Sequence, residues 1–164
     1  MSKTIKVELS NASVNKAISE LREYAAWVST KEDELRSRLA MLGATVASIR
    51  FSRAIYDGSD NVTVRVDDDG KTATIFAEGE SVAFIEFGTG ARYGYGHPEA
   101  GKFGFGPGTW SEGERGKGHW KDPNGWWYGS GKHTYGNEPA MAMYSAVKEI
   151  AEKMTTIAQE VFRA

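Results

Sequence analysis

Val62-Thr63-Val64-Arg65-Val66-Asp67-Asp68-Asp69-Gly70-Lys71-Thr72-Ala73-Thr74-Ile75-Phe76-Ala77 is the stretch on which the fold class turns. Val62, Val64 and Val66 alternate with Thr63 and Arg65, the two-residue period of a strand with one wet face, and residues 72–77 make a second strand. Asp69-Gly70 between them signals a tight reversal, because glycine adopts positive φ without a steric cost. An antiparallel hairpin is predicted. The aspartate run raises calcium, but no glutamate stands where a twelve-residue calcium loop closes, so a solvated turn is the better reading.

Outward from the hairpin, the period changes. Ile5, Val7 and Leu9 alternate with Lys6 and Glu8, which predicts a further strand over 5–9. From Val14, the residues Ala17, Ile18, Leu21 and Ala25 recur at helical spacing, with Asn11 or Ser13 available as an N-cap. Ser29 and Thr30 each precede an acid by three residues (Glu32, Asp33), a capping-box pattern that predicts a break at 28–30 and a restarted helix. Leu35, Leu39, Leu42, Val46 and Ile49 then step by four and three. Over barely two heptads this stripe reads as a core or sheet-covering face rather than a coiled-coil seam. Residues 81–87 (Ser-Val-Ala-Phe-Ile-Glu-Phe) are too short for periodicity to separate helix from strand, and Gly88-Thr89-Gly90 ends either one. Pro139 suits a first helical turn, and Met143, Val147, Ile150, Met154, Ile157 and Val161 draw an apolar stripe to the end of the chain. The predicted class is α+β: a small antiparallel sheet covered by long helices, with a long glycine- and aromatic-rich insertion before the C-terminal helix.

The 164 residues suit one domain over 1–164, large enough to bury about 68–70% of its extended surface. With 40% hydrophobic and 26% charged residues and a net charge of -2, the chain reads as a folded soluble protein and not a strongly basic nucleic-acid binder. The absence of cysteine removes disulfides and thiolate metal sites, and no apolar run reaches the length of a membrane span. The opening residues lack the apolar stretch of a secretory signal, and the protein is expected to stay in the cytosol where it is made.

Residues 88–136 hold 15 of the 19 glycines, four of the five tryptophans and all three histidines. Glycine alone would make a linker, but Tyr93, Tyr95, Phe103, Phe105, Trp110, Trp120, Trp126, Trp127 and Tyr128 add large apolar surfaces that need burial or a partner. Long loops of this kind are commonly functional, and this one is expected to order against another chain. Catalytic and ligand readings of the same stretch are weaker. His97, His119 and His133, with Glu99, match no compact zinc spacing. Ser111 with His119 has no nucleophile elbow. Glu86, between Ile85 and Phe87, is either a buried carboxylate of raised pKa or, more often for such a residue, one paired or hydrogen-bonded to a turn. Gly88-Thr89-Gly90 and residues 101–106 lack the order of a phosphate loop. Six cations against four acids over 91–136 are too thin a charge for stacking single-stranded nucleic acid. No catalytic residue, metal or cofactor is predicted.

Ala83-Phe84-Ile85-Glu86-Phe87-Gly88-Thr89-Gly90, His97-Pro98, Gly125-Trp126-Trp127-Tyr128 and His133-Thr134-Tyr135-Gly136, followed by Pro139 and the last helix, resemble a family of tailed-bacteriophage neck and tail-completion (head-tail joining) proteins typified by the gene 10 product of phage HK97. The likeness spans most of the chain after the first strand and is loose over residues 100–122. It implies a structural virion subunit, not an enzyme, that assembles as a homohexameric ring in the viral neck. Its implied partners are further copies of itself, a head connector or stopper protein, and a tail terminator or tail tube protein. DNA would pass through the lumen without specific binding, and no membrane is involved. The implied location is the virion, with the host cytoplasm as the place of assembly. A non-catalytic interaction module is the alternative, ahead of a nucleic-acid binder or an enzyme. Within the resemblance, Phe84, Glu86, Phe87, Gly88, Thr89 and Gly90 form the motif turn: Glu86 is expected to fix residues 88–90 by hydrogen bonds, with Phe84 and Phe87 holding them to the core. His97, Trp110, Trp120, Trp126, Trp127, Tyr128, His133 and Tyr135 are expected at the assembly interface.

Overall fold

A computed structural model describes residues 4–6, 8, 10–56, 61–93, 96–103, 122–127 and 132–163, without the side chains of Ala91 and Phe103. Its first element is one continuous helix, α1, Asn11–Ser52. At 1.5 Å per residue this rod is about 63 Å long. Ser10 is the N-cap: its Oγ accepts the Ser13 N–H at 3.2 Å, so the cap lies one residue before the first expected candidate. The expected break at 28–30 does not occur. Thr30 Oγ1 donates to the Ala26 carbonyl one turn back (3.0 Å), so its hydroxyl is satisfied inside the helix instead of capping a new one. Ion pairs Lys31–Glu34, Asp33–Arg36 and Glu34–Arg38 then run along the surface at three- and four-residue spacing.

The hairpin forms as expected. Strand β1, Thr63–Asp68, pairs antiparallel with β2, Ala73–Glu78, in a register that sets Thr63 opposite Glu78 and Asp68 opposite Ala73. The aspartates make the turn: Asp68 Oδ1 accepts the Gly70 N–H (2.9 Å), and Asp69 Oδ1 accepts those of Lys71 and Thr72 (2.8 and 2.7 Å). Arg36 Nε reaches Asp68 at 2.8 Å and ties the turn to α1. The strand expected over 5–9 is not found at 4–6 or 8, while Val7 and Leu9 lie outside the described residues. Residues 4–6 and 8 pair with neither edge of the hairpin sheet, and alternation alone makes no strand without a ladder partner.

Residues 82–87 resolve as a short helix, α2, Val82–Phe87, stopped by Gly88 at φ 77°. Helix α3, Gly90–Tyr93, and a 3₁₀ turn, Ala100–Phe103, follow. Then come a two-residue ribbon of β3, Trp126–Trp127, and β4, His133–Thr134, and finally α4, Ala142–Arg163. Helix α4 starts three residues after Pro139, and lies antiparallel on α1: Arg50 Nη1 donates to the Ala140 carbonyl, Arg38 pairs with Glu160, and Trp27 meets Phe162 edge-on at 6.0 Å.

The α1 stripe is displaced from the expected one. Leu35, Leu39, Leu42 and Val46 are half-buried and Ile49 is exposed, whereas Ala40, Gly43, Ala47 and Phe51 form the deepest line. Small residues take that line because two layers converge on it. A Cβ on Gly43 would lie 2.6 Å from both Ile150 Cδ1 of α4 and Ile75 Cδ1 of β2. On α4, Val161 is buried with Ala142 and Ala146, but Val147 and Met154 of the expected stripe are exposed. Ala47, Phe51, Ile85, Ala142 and Ala146 form the core, so α1, α2 and the start of α4 meet in one place. The architecture is α+β, two long helices against a two-stranded antiparallel sheet.

Candidate functional site

The sequence motif around Glu86 converges on the first turn of α4. A helix N-terminus leaves several N–H groups without intrahelical partners. Here Glu86 supplies the acceptors from outside the helix: Oε2 takes the Met143 N–H and Oε1 the Tyr144 N–H, both at 3.0 Å. A carboxylate at this end also meets the positive pole of the helix dipole. Main-chain bonds reinforce the junction, with Ala140 N–H on the Ile85 carbonyl (2.8 Å) and Met141 N–H on the Glu86 carbonyl (3.2 Å). Met141 takes φ 49°, a left-handed conformation in which its carbonyl still accepts the Ser145 N–H (2.9 Å).

His97 completes this junction. Its Nδ1 accepts the Glu99 N–H (3.0 Å), which assigns the ring proton to Nε2, facing Glu86 Oε1 at 3.3 Å. The ring lies 4.5 Å from that of Phe87 and 5.4 Å from that of Tyr144. Glu86 and His97 are both buried, and their polar atoms are engaged by backbone donors and by each other. Among the described residues this acid–imidazole pair therefore acts as a structural clamp on α4.

The turn at 88–90 is held by a different pair. Thr89 N–H donates to the Asn137 carbonyl (3.0 Å), Asn137 N–H donates to Thr89 Oγ1 (3.1 Å), and Thr89 Oγ1 donates to Asn137 Oδ1. Asn137 Nδ2 reaches back to the Phe84 carbonyl at 3.1 Å. The expectation that Glu86 fixes this turn is thus corrected: Glu86 holds α4, and Asn137 holds the turn. Two glycines make the close approach feasible. A Cβ on Gly88 (φ 77°) would lie 2.9 Å from the Asn137 carbonyl oxygen, and one on Gly136 (φ 92°) would collide with that of Thr89.

Beside this latch, the β3–β4 ribbon separates the aromatic residues into two faces. Trp126, paired opposite Thr134, is 6% exposed and packs by Gly90; Trp127, paired opposite His133, is 47% exposed. Adjacent strand residues point to opposite faces. On the outer face the His133 ring stands 4.8 Å from Trp127 and 4.8 Å from Tyr135, and the Arg92 guanidinium lies 4.7 Å over the Tyr135 ring. Trp127, His133, Tyr135 and Arg92 form one partly exposed cationic–aromatic patch.

Of the residues expected at an assembly interface, Trp127, His133 and Tyr135 come together there. His97 and Trp126 are buried within the chain and serve its fold, a correction to their expected place. Trp110, Trp120 and Tyr128 lie outside the described residues. Arg92 and Asn137 were not legible as site residues. Arg92 read only as one cation among several, and the sole signal for Asn137 was its position before the Glu138-Pro139 helix entry. Among the described residues no three His, Asp or Glu side chains converge as metal ligands, and no helix is long and apolar enough to cross a membrane. Comparison with protein-family models, with curated proteins and with solved structures finds no match to this chain.

Proposed function

We propose that the protein is a structural subunit of a tailed-bacteriophage neck, assembling as a ring that joins the head connector to the tail tube, and that it acts as a joint and not as a catalyst. The reading rests on the motif resemblance, and the observation that carries it in the structure is the outer aromatic patch. Tryptophan and tyrosine lose little rotational freedom on contact and dominate interface energetics, and Arg92 adds a fixed donor beside them. The patch is mounted on the rigid Thr89–Asn137 latch next to α4, which suits a contact made without refolding the subunit. A net charge of -2 is compatible with a conduit, since many phosphate contacts would grip passing DNA with strong salt dependence.

Electron cryo-microscopy of particles of the phage that encodes this chain tests the proposal. Ring density at the head-tail junction that accommodates α1, α4 and the hairpin is the expected result. Particles whose neck is fully accounted for by other proteins would overturn it. The double substitution Trp127→Ala with Tyr135→Ala gives a second reading: a folded subunit with separated heads and tails is expected.

A further inference from the structure

Helix α1 outruns α4. Helix α4 reaches back along α1 as far as the edge-on contact of Phe162 with Trp27, one residue before its own end at Arg163. Residues 11–26 of α1 lie beyond that contact, an overhang of about 24 Å at 1.5 Å per residue. Its apolar side chains stay in water: Val14, Ile18, Leu21 and Tyr24 are all exposed, Leu21 at 54%. With Ala25, also exposed, the aliphatic ones step by four, three and four, so Val14, Ile18, Leu21 and Ala25 share one face. The lead-in to the helix turns against another side, where Glu8 N–H donates to Ser13 Oγ (2.9 Å), and leaves this face open. Most helical stability in proteins comes from packing an apolar face, and the overhang has such a face with nothing on it.

The face is continuous with the α1–α4 contact. The Tyr24 ring stacks on that of Trp27 at 5.6 Å and 22°, and Trp27 meets Phe162, so an aromatic bridge runs from the overhang to the end of α4. A helix laid on the overhang antiparallel to α1 would run on in the direction of α4 from the point where α4 stops. A second overhang meets that requirement. The spacing of four, three and four reads the same in both directions, so an antiparallel copy sets Val14 opposite Ala25 and Ile18 opposite Leu21, twice over. In this register Asn11 of the second copy comes level with Val28, beside Trp27. The α1 N-terminus of one copy thus arrives where α4 of the other ends, positive dipole pole to negative. Lys16 and Arg22 balance Glu20 and Glu23, so two overhangs meet without net charge repulsion.

We propose that two copies of the chain pair through their α1 overhangs, residues 11–26, in an antiparallel two-fold contact. The contact is isologous and closes on itself. It uses the N-terminal end of α1, whereas the strap that follows Tyr135 runs beside the C-terminal end, so the aromatic patch of each copy is left free. The inference does not rest on the neck reading. It is tested on the isolated full-length chain, and its failure leaves the localisation experiment on particles unaffected.

Because the chain has no cysteine, site-directed disulfide trapping is free of background. Val14→Cys and Ala25→Cys chains are mixed in equal amounts and oxidised. In the proposed register residues 14 and 25 meet, whereas the two copies of either residue stand about 16 Å apart along the axis, beyond the reach of a disulfide. The expected product is the 14–25 cross-link, in at least tenfold excess over the 14–14 and 25–25 cross-links. A predominance of 14–14 and 25–25, the signature of a parallel pair, overturns the proposal. Equal yields or no inter-chain product also overturn it and leave the stripe to a partner of another kind. Sedimentation equilibrium supplies the second measurement. The parent chain is expected to dimerise with concentration, and Leu21→Lys to raise the dissociation constant at least tenfold. Leu21 is exposed in the single chain, so the variant should keep the parent's circular dichroism. A parent that stays monomeric, or an unchanged dissociation constant in the folded Leu21→Lys chain, overturns the pairing as well.

Discussion

The clamp at the start of α4 and the β3–β4 ribbon both draw residues from the glycine-rich stretch 88–136, His97 for the one and Trp126 to Thr134 for the other, yet they use their polar and aromatic groups in opposite ways. In the clamp, Glu86 and His97 look inward and every acceptor is matched to a donor. In the ribbon, Trp126 and Thr134 look inward while Trp127, His133 and Tyr135 are left on the outer face. One motif therefore holds two populations of residues, those that build a platform and those the platform displays. Substitutions separate them: loss of a platform residue is expected to change stability, and loss of a displayed one, under the proposed function, to change assembly.

The largest effects are expected at Glu86 and Trp126. Glu86→Ala leaves the Met143 and Tyr144 N–H groups and the His97 Nε2–H without their buried acceptor, at about 1–3 kcal/mol for each group that water cannot reach. A loss of roughly 3–5 kcal/mol in denaturant unfolding is expected, a large part of a typical domain's stability. Glu86→Gln, which keeps one acceptor oxygen, should fall between parent and alanine variant. An Ala variant as stable as the parent would show that the clamp does not hold α4.

The tryptophan pair gives the sharpest contrast within one strand. Trp126→Ala opens a cavity in the platform and should cost about 3–5 kcal/mol. Trp127→Ala removes a half-exposed ring and should stay within about 0.5–1 kcal/mol of the parent; under the proposed neck role it is expected to abolish head-tail joining in a particle-yield assay. Equal losses of stability at the two positions would erase the division between platform and display. Asn137→Ala comes next. It breaks the latch to Thr89 and Phe84 and is expected to lower stability by about 1–3 kcal/mol.

How far the sequence showed all this depends on the range over which each feature is encoded. The hairpin was legible because alternation and the Asp69-Gly70 turn act over a few residues, and α4 because its pattern is amphipathic. The uninterrupted α1 was not, since Ser29 and Thr30 have the composition of a cap and only the folded helix shows the Thr30 hydroxyl turned back to Ala26. The α1 core line was displaced because alanine and glycine, which allow α4 and β2 to approach, carry little weight in an apolar stripe read from leucines. Glu86 read as a carboxylate paired or hydrogen-bonded to a turn; the structure pairs it with His97 but places its backbone hydrogen bonds on α4 instead of the turn. Its helix-capping partners lie 57 and 58 residues away, where no local spacing reveals them. The opposed faces of Trp126 and Trp127 follow from strand geometry, but a two-residue strand has no periodicity to announce itself.

The smallest expected effect concerns the hairpin turn, which is neither buried platform nor aromatic display. Hydrogen bonds from Gly70 N–H and then Arg36 hold the Asp68 carboxyl below the ordinary carboxylate range; those from the Thr72 and Lys71 N–H groups do the same for Asp69, and Arg65 does so for Glu78. A carboxyl whose folded pKa is depressed contributes stability that is present above its unfolded pKa, near 4, and is lost as pH falls through the lower folded value. All three carboxyls face solvent, so the contribution is small and screened by salt. Asp69→Asn isolates one of them. Its melting temperature should lie slightly below the parent's at pH 7, and the gap should narrow as the pH falls below about 4 and the parent's own carboxyl protonates. Taking the difference between variant and parent removes the general acid sensitivity of the rest of the chain. A gap of equal size at pH 7 and pH 2 would mean that Asp69 supports the turn through its shape and hydrogen bonds alone, without its charge.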